Sequence, residues 1–223
     1  QGAPGVEPDR ERALMWFSEA AKQGNARAQS WLGWAYDAGV GVRADPREAL
    51  RWYTRAARRD DASAQVNLAR LHESGRGTPR SMEQARYWYE QAAQQGELNA
   101  LTGLAWLLAT APREAMRDAE RALSLAREAA EQDPGPRSLE TLAAALAESG
   151  QYTAAVRAQR RAIGALDAAA ADPQADPETA PSLRNLDTRV AASRTRLAAY
   201  RAGRPWRAEG RAPGCRPPCS EIR

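Results

Sequence analysis

The chain has 223 residues, 43% of them hydrophobic, and a formal net charge of +4, which is enough apolar content for one or two cores. Leu, Ala and Trp supply most of it, Val and Ile are scarce and Phe occurs once, an alphabet that suits helices and leaves little for sheets. No apolar run approaches the roughly 18 residues of a membrane helix, so no transmembrane segment is expected, and the modest charge does not by itself mark a nucleic-acid binder.

Self-similarity is the strongest signal. Ala28, Leu32, Gly33, Tyr36, Gly39, Gly41, Asp45, Ala49, Trp52, Tyr53, Ala56 and Ala57 recur 36 residues later. The second copy reads Ala64, Leu68, Ala69, His72, Gly75, Gly77, Ser81, Ala85, Trp88, Tyr89, Ala92 and Ala93. A partial copy precedes them as Gly5, Asp9, Ala13, Trp16, Phe17, Ala20 and Ala21. Leu32 and Tyr36 are i, i+4 neighbours on a first helix, and Gly33 lets another helix come close. Gly39-Val40-Gly41 ends that helix with positions able to take positive φ. Asp45 is placed as N-cap with Pro46 in the first turn of a second helix. Ala49, Trp52, Tyr53, Ala56 and Ala57 form its amphipathic stripe. Trp16, Trp52 and Trp88 hold equivalent places there and are expected in the core. Gly5-Val6-x2-Asp9 falls in register with Gly41-Val42-x2-Asp45. The chain is therefore expected to open in mid-repeat, with one side of Ala13, Trp16, Phe17 and Ala20 uncovered.

The pattern Ala-x3-Leu-Gly-x2-Tyr-x2-Gly-x-Gly-Val-x2-Asp-x3-Ala-x2-Trp-Tyr-x2-Ala-Ala resembles the Sel-one-like repeat family, relatives of the tetratricopeptide repeat. The resemblance covers residues 1–105 with the first repeat truncated, and the second copy departs from it at His72, Thr78 and Ser81. It implies an all-α fold, a right-handed α-solenoid of helix-turn-helix repeats whose first helices line the concave face. Ala100, Leu104 and Ala105 begin another first helix, which Thr110-Ala111-Pro112 ends without the Gly-x-Gly turn. A helix is expected over 114–132, closed by Asp133-Pro134-Gly135-Pro136. Leu142, Ala143, Leu146, Gly150, Ala155 and Ala162 then resemble the tetratricopeptide repeat proper, over 106–166.

Residues 167–181 are read as a linker and 182–202 as a C-terminal capping helix with Leu183, Leu186, Val190, Leu197 and Tyr200 on its apolar side. Residues 203–223 form a tail rich in Arg, Pro and Gly, expected to be disordered. Arg201, Arg204, Arg207, Arg211, Arg216 and Arg223 face only Glu209 and Glu221 in that stretch. Nucleic-acid binding through this tail, which carries Trp206, is a weaker alternative to protein binding. Cys215 and Cys219 are the two cysteines. They exclude a disulfide framework for the repeats, and they are left open as a local pair or as reduced thiols. Without further His or Cys they make a poor zinc site.

Chemistry-bearing residues are few. His72, the one histidine, replaces a core tyrosine of the repeat and reads as a half-buried structural residue rather than a base. No serine or cysteine stands in a nucleophile motif. Gly39-x-Gly41 and Gly75-x-Gly77 join two helices with no strand before them, so they are not phosphate loops. No catalytic residue, metal, cofactor or small-molecule substrate is expected.

The expected function is binding to another protein through the concave face. The positions two before and two after Leu32, Leu68 and Leu104 are Ser30, Trp34, Val66, Arg70, Thr102 and Trp106. Arg27, Asp37 and Glu73 lie one turn away. Exposed Trp and Arg together are typical of binding hot spots, while the competing reading has Trp34 and Trp106 packing between repeats. The resemblance implies a bacterial scaffold or adaptor in the periplasm or envelope, with a cytoplasmic location as the alternative. It equally implies an immunity protein that neutralises a toxin.

Overall fold

The computed structural model describes residues 10–170 and 186–207. Regular structure among them is helical. The helices are α1 (Arg10–Lys22), α2 (Ala26–Ala38), α3 (Pro46–Ala57), α4 (Ala62–Ser74), α5 (Met82–Ala93), α6 (Leu98–Thr110), α7 (Ala119–Gln132), α8 (Pro136–Glu148), α9 (Tyr152–Ala170) and α10 (Leu186–Arg201). They fall into two units, the first ending at Ala100 and the second spanning Leu101–Arg211.

In the first unit each helix from α1 to α5 packs on the next, and the boundaries follow from local chemistry. Asn25 and Asp61 cap α2 and α4, accepting from Ala28 N and Ala64 N. Asp45 caps α3 through Arg47 N and Glu48 N, and Ser81 caps α5 through Gln84 N, so the Asp-to-Ser change keeps the capping oxygen. Gly39 and Gly75 end α2 and α4 with φ of 73° and 74°, a conformation that disfavours any residue with a Cβ. A Cβ on Gly33 would sit 2.5 Å from the Tyr53 ring, which is why α2 can lie so close to α3.

The core is built on tyrosine more than tryptophan. Tyr53 and Tyr89 are fully buried, whereas Trp52 and Trp88, expected in the core, are half-buried. Trp52 packs at the edge of the cluster of Ala21, Ala28 and Leu32, with the Arg55 guanidinium 4.6 Å from its ring. Trp88 does the same against the cluster around Tyr53 and Leu68. Their outer rims remain at the surface because a large indole rarely disappears completely. Trp16, in the same register on α1, is 76% exposed, so it is not a core residue among the described residues. Buried glutamines also repeat: Gln29 Nε2 donates to Ala21 O at 3.0 Å and Gln65 Nε2 to Ala57 O at 3.2 Å. Each amide is a second donor to a carbonyl at the end of the preceding helix, which also accepts from the turn through Gly24 N or Asp60 N.

In the second unit α7 packs on α8, α8 on α9, and α9 on α10. The helix expected over 114–132 is divided. Glu114–Met116 make a single 3-10 turn, and Asp118 then caps α7 by accepting from Arg121 N, so the capping oxygen restarts the chain there. Pro136 opens α8 at its first turn. α9 continues to Ala170, so 167–170 are helical rather than linker, as alanine's propensity favours. Residues 171–181 lie outside the described residues, as do Gly5, Asp9, Leu183, Cys215 and Cys219. The expected tail is docked at its start, where Trp206 is half-buried and Arg207 Nη1 stands 2.5 Å from Glu148 Oε2. No described helix is long and apolar enough to cross a membrane.

Candidate functional site

The first helices of the first unit carry most of the expected contact positions. On α2, Arg27 is exposed, Ser30 half-buried and Trp34 44% exposed. Trp34 continues an aromatic run in which Phe17 stacks on Trp31 at 4.2 Å and Trp31 meets Trp34 at 5.9 Å. On α4, Arg70 and Glu73 are half-buried. The Arg70 guanidinium reaches Asn67 Oδ1 and Asn99 Oδ1, both at 3.4 Å. Val66 is buried instead of facing a partner, because its side chain fills the helix packing.

Around them lies a polar network that sequence reasoning did not assemble. Arg76 Nη2 is 2.9 Å from Asp37 Oδ1 and donates to Asp37 O at 3.2 Å, pinning the turn after α4 to the end of α2. Burial raises the pKa of Asp37, while Arg76 and Arg70 pull it down. Burial, then the Asp37 charge, also pushes the Tyr53 phenol above its ordinary value. One repeat on, Tyr89 OH donates to Glu73 Oε2 at 3.0 Å. The signal for this network was present, since Asp37 and Glu73, like Tyr53 and Tyr89, are 36 residues apart. What the sequence lacked was any reason to join acid to tyrosine across two helices.

In the second unit the expected contacts are covered. Thr102 is buried and Trp106 is only 5% exposed. The physical reason for Trp106 is Arg196 of α10, whose guanidinium lies 5.5 Å from the indole ring. An exposed binding tryptophan at 106 is therefore corrected to a buried one. His72 is half-buried on α4, and burial lowers its pKa. No cluster of three or more His, Cys, Asp or Glu able to hold a metal occurs among the described residues.

Caps, buried tyrosines and buried glutamines thus recur at the 36-residue period in three dimensions as well as in sequence. The model of the family described as Sel1 repeat matches residues 1–25, 26–61, 62–97 and 99–134. The chain belongs to the Sel1 repeat family. The fourth Sel1 match spans α6 and α7. A Sel1 repeat protein from Oxalobacter formigenes is similar in structure, with 25% identity, a TM-score of 0.60, and coverage of 82% of this chain and 80% of that one. A protective antigen present in uropathogenic Escherichia coli strains, displaying an SLR fold, is 25% identical with a TM-score of 0.63. It is matched over 88% of this chain and 43% of its own. An immunity protein from Pseudomonas aeruginosa is 20% identical with a TM-score of 0.44, over 88% of this chain and 77% of that one. Among curated proteins, none matches the chain. The fold is all-α, with helices packed in sequential pairs as a Sel1-like repeat solenoid.

Proposed function

We propose that the chain is a non-catalytic protein-binding module whose contact surface in the first unit is the face of α2 and α4 around Trp34 and Arg70. The carrying observation is Trp34, a large aromatic left 44% exposed. Arg70 occupies the equivalent place one repeat later. Tryptophan and arginine dominate the energetics of protein interfaces because each offers a large, stackable area together with a directed polar group. Arg27, Ser30 and Asp37 on α2, and Glu73 on α4, flank the pair. Membership of the Sel1 repeat family supports an interaction role. Val66, Thr102 and Trp106 are buried and are not part of the surface proposed.

The experiment is site-directed photo-crosslinking in the full chain, with benzoylphenylalanine placed at Trp34 and, as a control, at Arg51, an exposed residue of α3. The Trp34 position is expected to capture a discrete protein and the Arg51 position none. Equal capture from both places would remove the assignment of this face. Assaying the captured protein's own activity with and without the chain then distinguishes a scaffold from an inhibitor.

A further inference from the structure

The outer face of α3 carries a row of arginines. Arg47, Arg51 and Arg55 follow one another at i+4, and Arg58 stands at i+11 from the first. With 3.6 residues per turn these four lie within about 80° of arc, and at 1.5 Å per residue they span roughly 16 Å. All four are exposed, Arg51 with 69% of its side chain open to solvent. Arg58, the C-cap, keeps α-helical dihedrals. The row is particular to this copy of the repeat. One repeat earlier the same places hold Glu11, Met15, Glu19 and Lys22, and one repeat later Glu83, Tyr87, Gln91 and Gln94.

The charge of the row is little compensated. Among the described residues Arg51 pairs with Glu48, whereas Arg47, Arg55 and Arg58 make no ion pair. Asp45 and Asp61 are engaged as the caps of α3 and α4, and Asp60 lies in the turn beyond the helix. The Arg55 guanidinium rests 4.6 Å from the Trp52 ring, which holds that side chain in place and lowers the cost of ordering it on binding. On α5, Trp88 packs against the cluster that includes Ala49 and Tyr53 of α3, so the two helices are neighbours. Tyr87, in the register place of Arg51, is 49% exposed, its ring set at 77° to that of Trp88 with centroids 4.9 Å apart.

We propose that this face binds single-stranded nucleic acid, with phosphates along the α3 arginines and a base stacked on Tyr87. A linear row of guanidiniums suits a ligand charged at every unit, and each guanidinium can meet a phosphate with two donors. An exposed aromatic on the neighbouring helix is the platform on which unpaired bases stack whatever their sequence. A partner protein or a membrane surface would need an apolar anchor in the row, and α3 exposes no large hydrophobic side chain. The inference is independent of the protein contact assigned to α2 and α4, because a nucleic acid on α3 leaves no protein to be captured at Arg51.

The test is fluorescence anisotropy of the full chain with a fluorescein-labelled oligothymidylate of about ten nucleotides. At about 50 mM salt it is expected to bind, log K falling against log salt with a slope of about −3, as for roughly four phosphates of a single strand. Arg47→Gln combined with Arg55→Gln is expected to weaken binding at least about tenfold and to bring the slope near −1.5, roughly two contacts fewer. Arg47→Lys combined with Arg55→Lys keeps the charge and is expected to keep the slope, which separates lost contacts from a damaged helix. Tyr87→Ala is expected to weaken binding about fivefold or more at unchanged slope, because stacking releases no counterions. Replacing Arg211, Arg216 and Arg223 of the tail together by Gln is expected to leave the affinity within about twofold, since the row supplies the phosphate contacts. No binding at low salt, a loss in the tail variant as large as in the α3 variant, or affinity indifferent to Tyr87 would overturn the proposal. Tighter binding of a decaglutamate peptide or of phosphatidylserine vesicles than of the oligonucleotide would overturn it as well.

Discussion

Tyr89 donates its hydroxyl to Glu73 Oε2 at 3.0 Å, tying the second helix of a repeat to its own first helix. Tyr89→Phe keeps the ring and deletes the bond, so it is expected to cost about 1–2 kcal/mol. Tyr89→Ala opens a cavity as well and is expected to cost about 3–5 kcal/mol. Urea unfolding of both variants checks the order. Equal losses would mean that the ring contributes little and that the core is centred elsewhere.

Two glycine substitutions are expected to have opposite signs. A Cβ at Gly33 would meet the Tyr53 ring at 2.5 Å, whereas one at Gly164 in α9 meets nothing within 4 Å. Gly33→Ala is expected to destabilise by about 1–3 kcal/mol through overpacking. Gly164→Ala is expected to stabilise by roughly 0.5–1 kcal/mol through helix propensity. Thermal melts of the two proteins suffice, and a gain at Gly33 would contradict the close approach of α2 and α3.

Much of this architecture was legible in the sequence, for reasons that lie close together in the chain. Asp45, Ser81, Gly39 and Gly75 act on their own helix ends, so their chemistry is visible within a few residues. Gly33 was legible as a place where another helix comes close, because it lacks a Cβ beside Leu32; that the approaching group is the Tyr53 ring is visible only in the fold. The environment of Trp106 was not, since its burial depends on Arg196 far downstream and no periodicity links the two. Arg207 was read as part of a solvated basic tail because charge runs usually are, and only the fold places Glu148 opposite it. The exchange of roles between Trp52 and Tyr53 was also hidden. Adjacent positions on an amphipathic stripe differ in burial by a rotation too small for sequence pattern to resolve.

Stability is expected to fall at acid pH in a way that His72 explains. Burial lowers its pKa below the ordinary 6.5, so the neutral imidazole is favoured in the folded chain. Between the depressed folded value and 6.5 the unfolded chain binds more protons, and stability there rises with pH. It is complete above about 6.5 and lost as pH falls toward the folded value. His72→Tyr restores the residue found at Tyr36 and removes the titration. The melting-temperature advantage of His72→Tyr over wild type should widen from pH 8 to pH 5, by a small amount because the ring is half-exposed. A gap that stays constant would remove His72 as the cause.

The tryptophans of the first helices should separate by burial. Trp106→Ala, at a site 5% exposed, is expected to lose about 3–5 kcal/mol of folding stability. Trp34→Ala, at a site 44% exposed, is expected to stay within roughly 1 kcal/mol of wild type. Differential scanning calorimetry of the two variants reads this directly, and a reversed order would contradict the burial described for both.

The most direct measurement is the affinity of the cross-linked partner for wild type, Trp34→Ala, Arg70→Ala and Trp52→Ala by isothermal titration, with each melting temperature recorded beside it. If α2 and α4 present the contact face, Trp34→Ala and Arg70→Ala weaken binding by about 1–4 kcal/mol while melting close to wild type. Trp52→Ala lowers the melting temperature and, below it, binds with near-normal affinity. Unchanged affinity in the first two variants, or a loss that merely tracks their stability, would contradict the account.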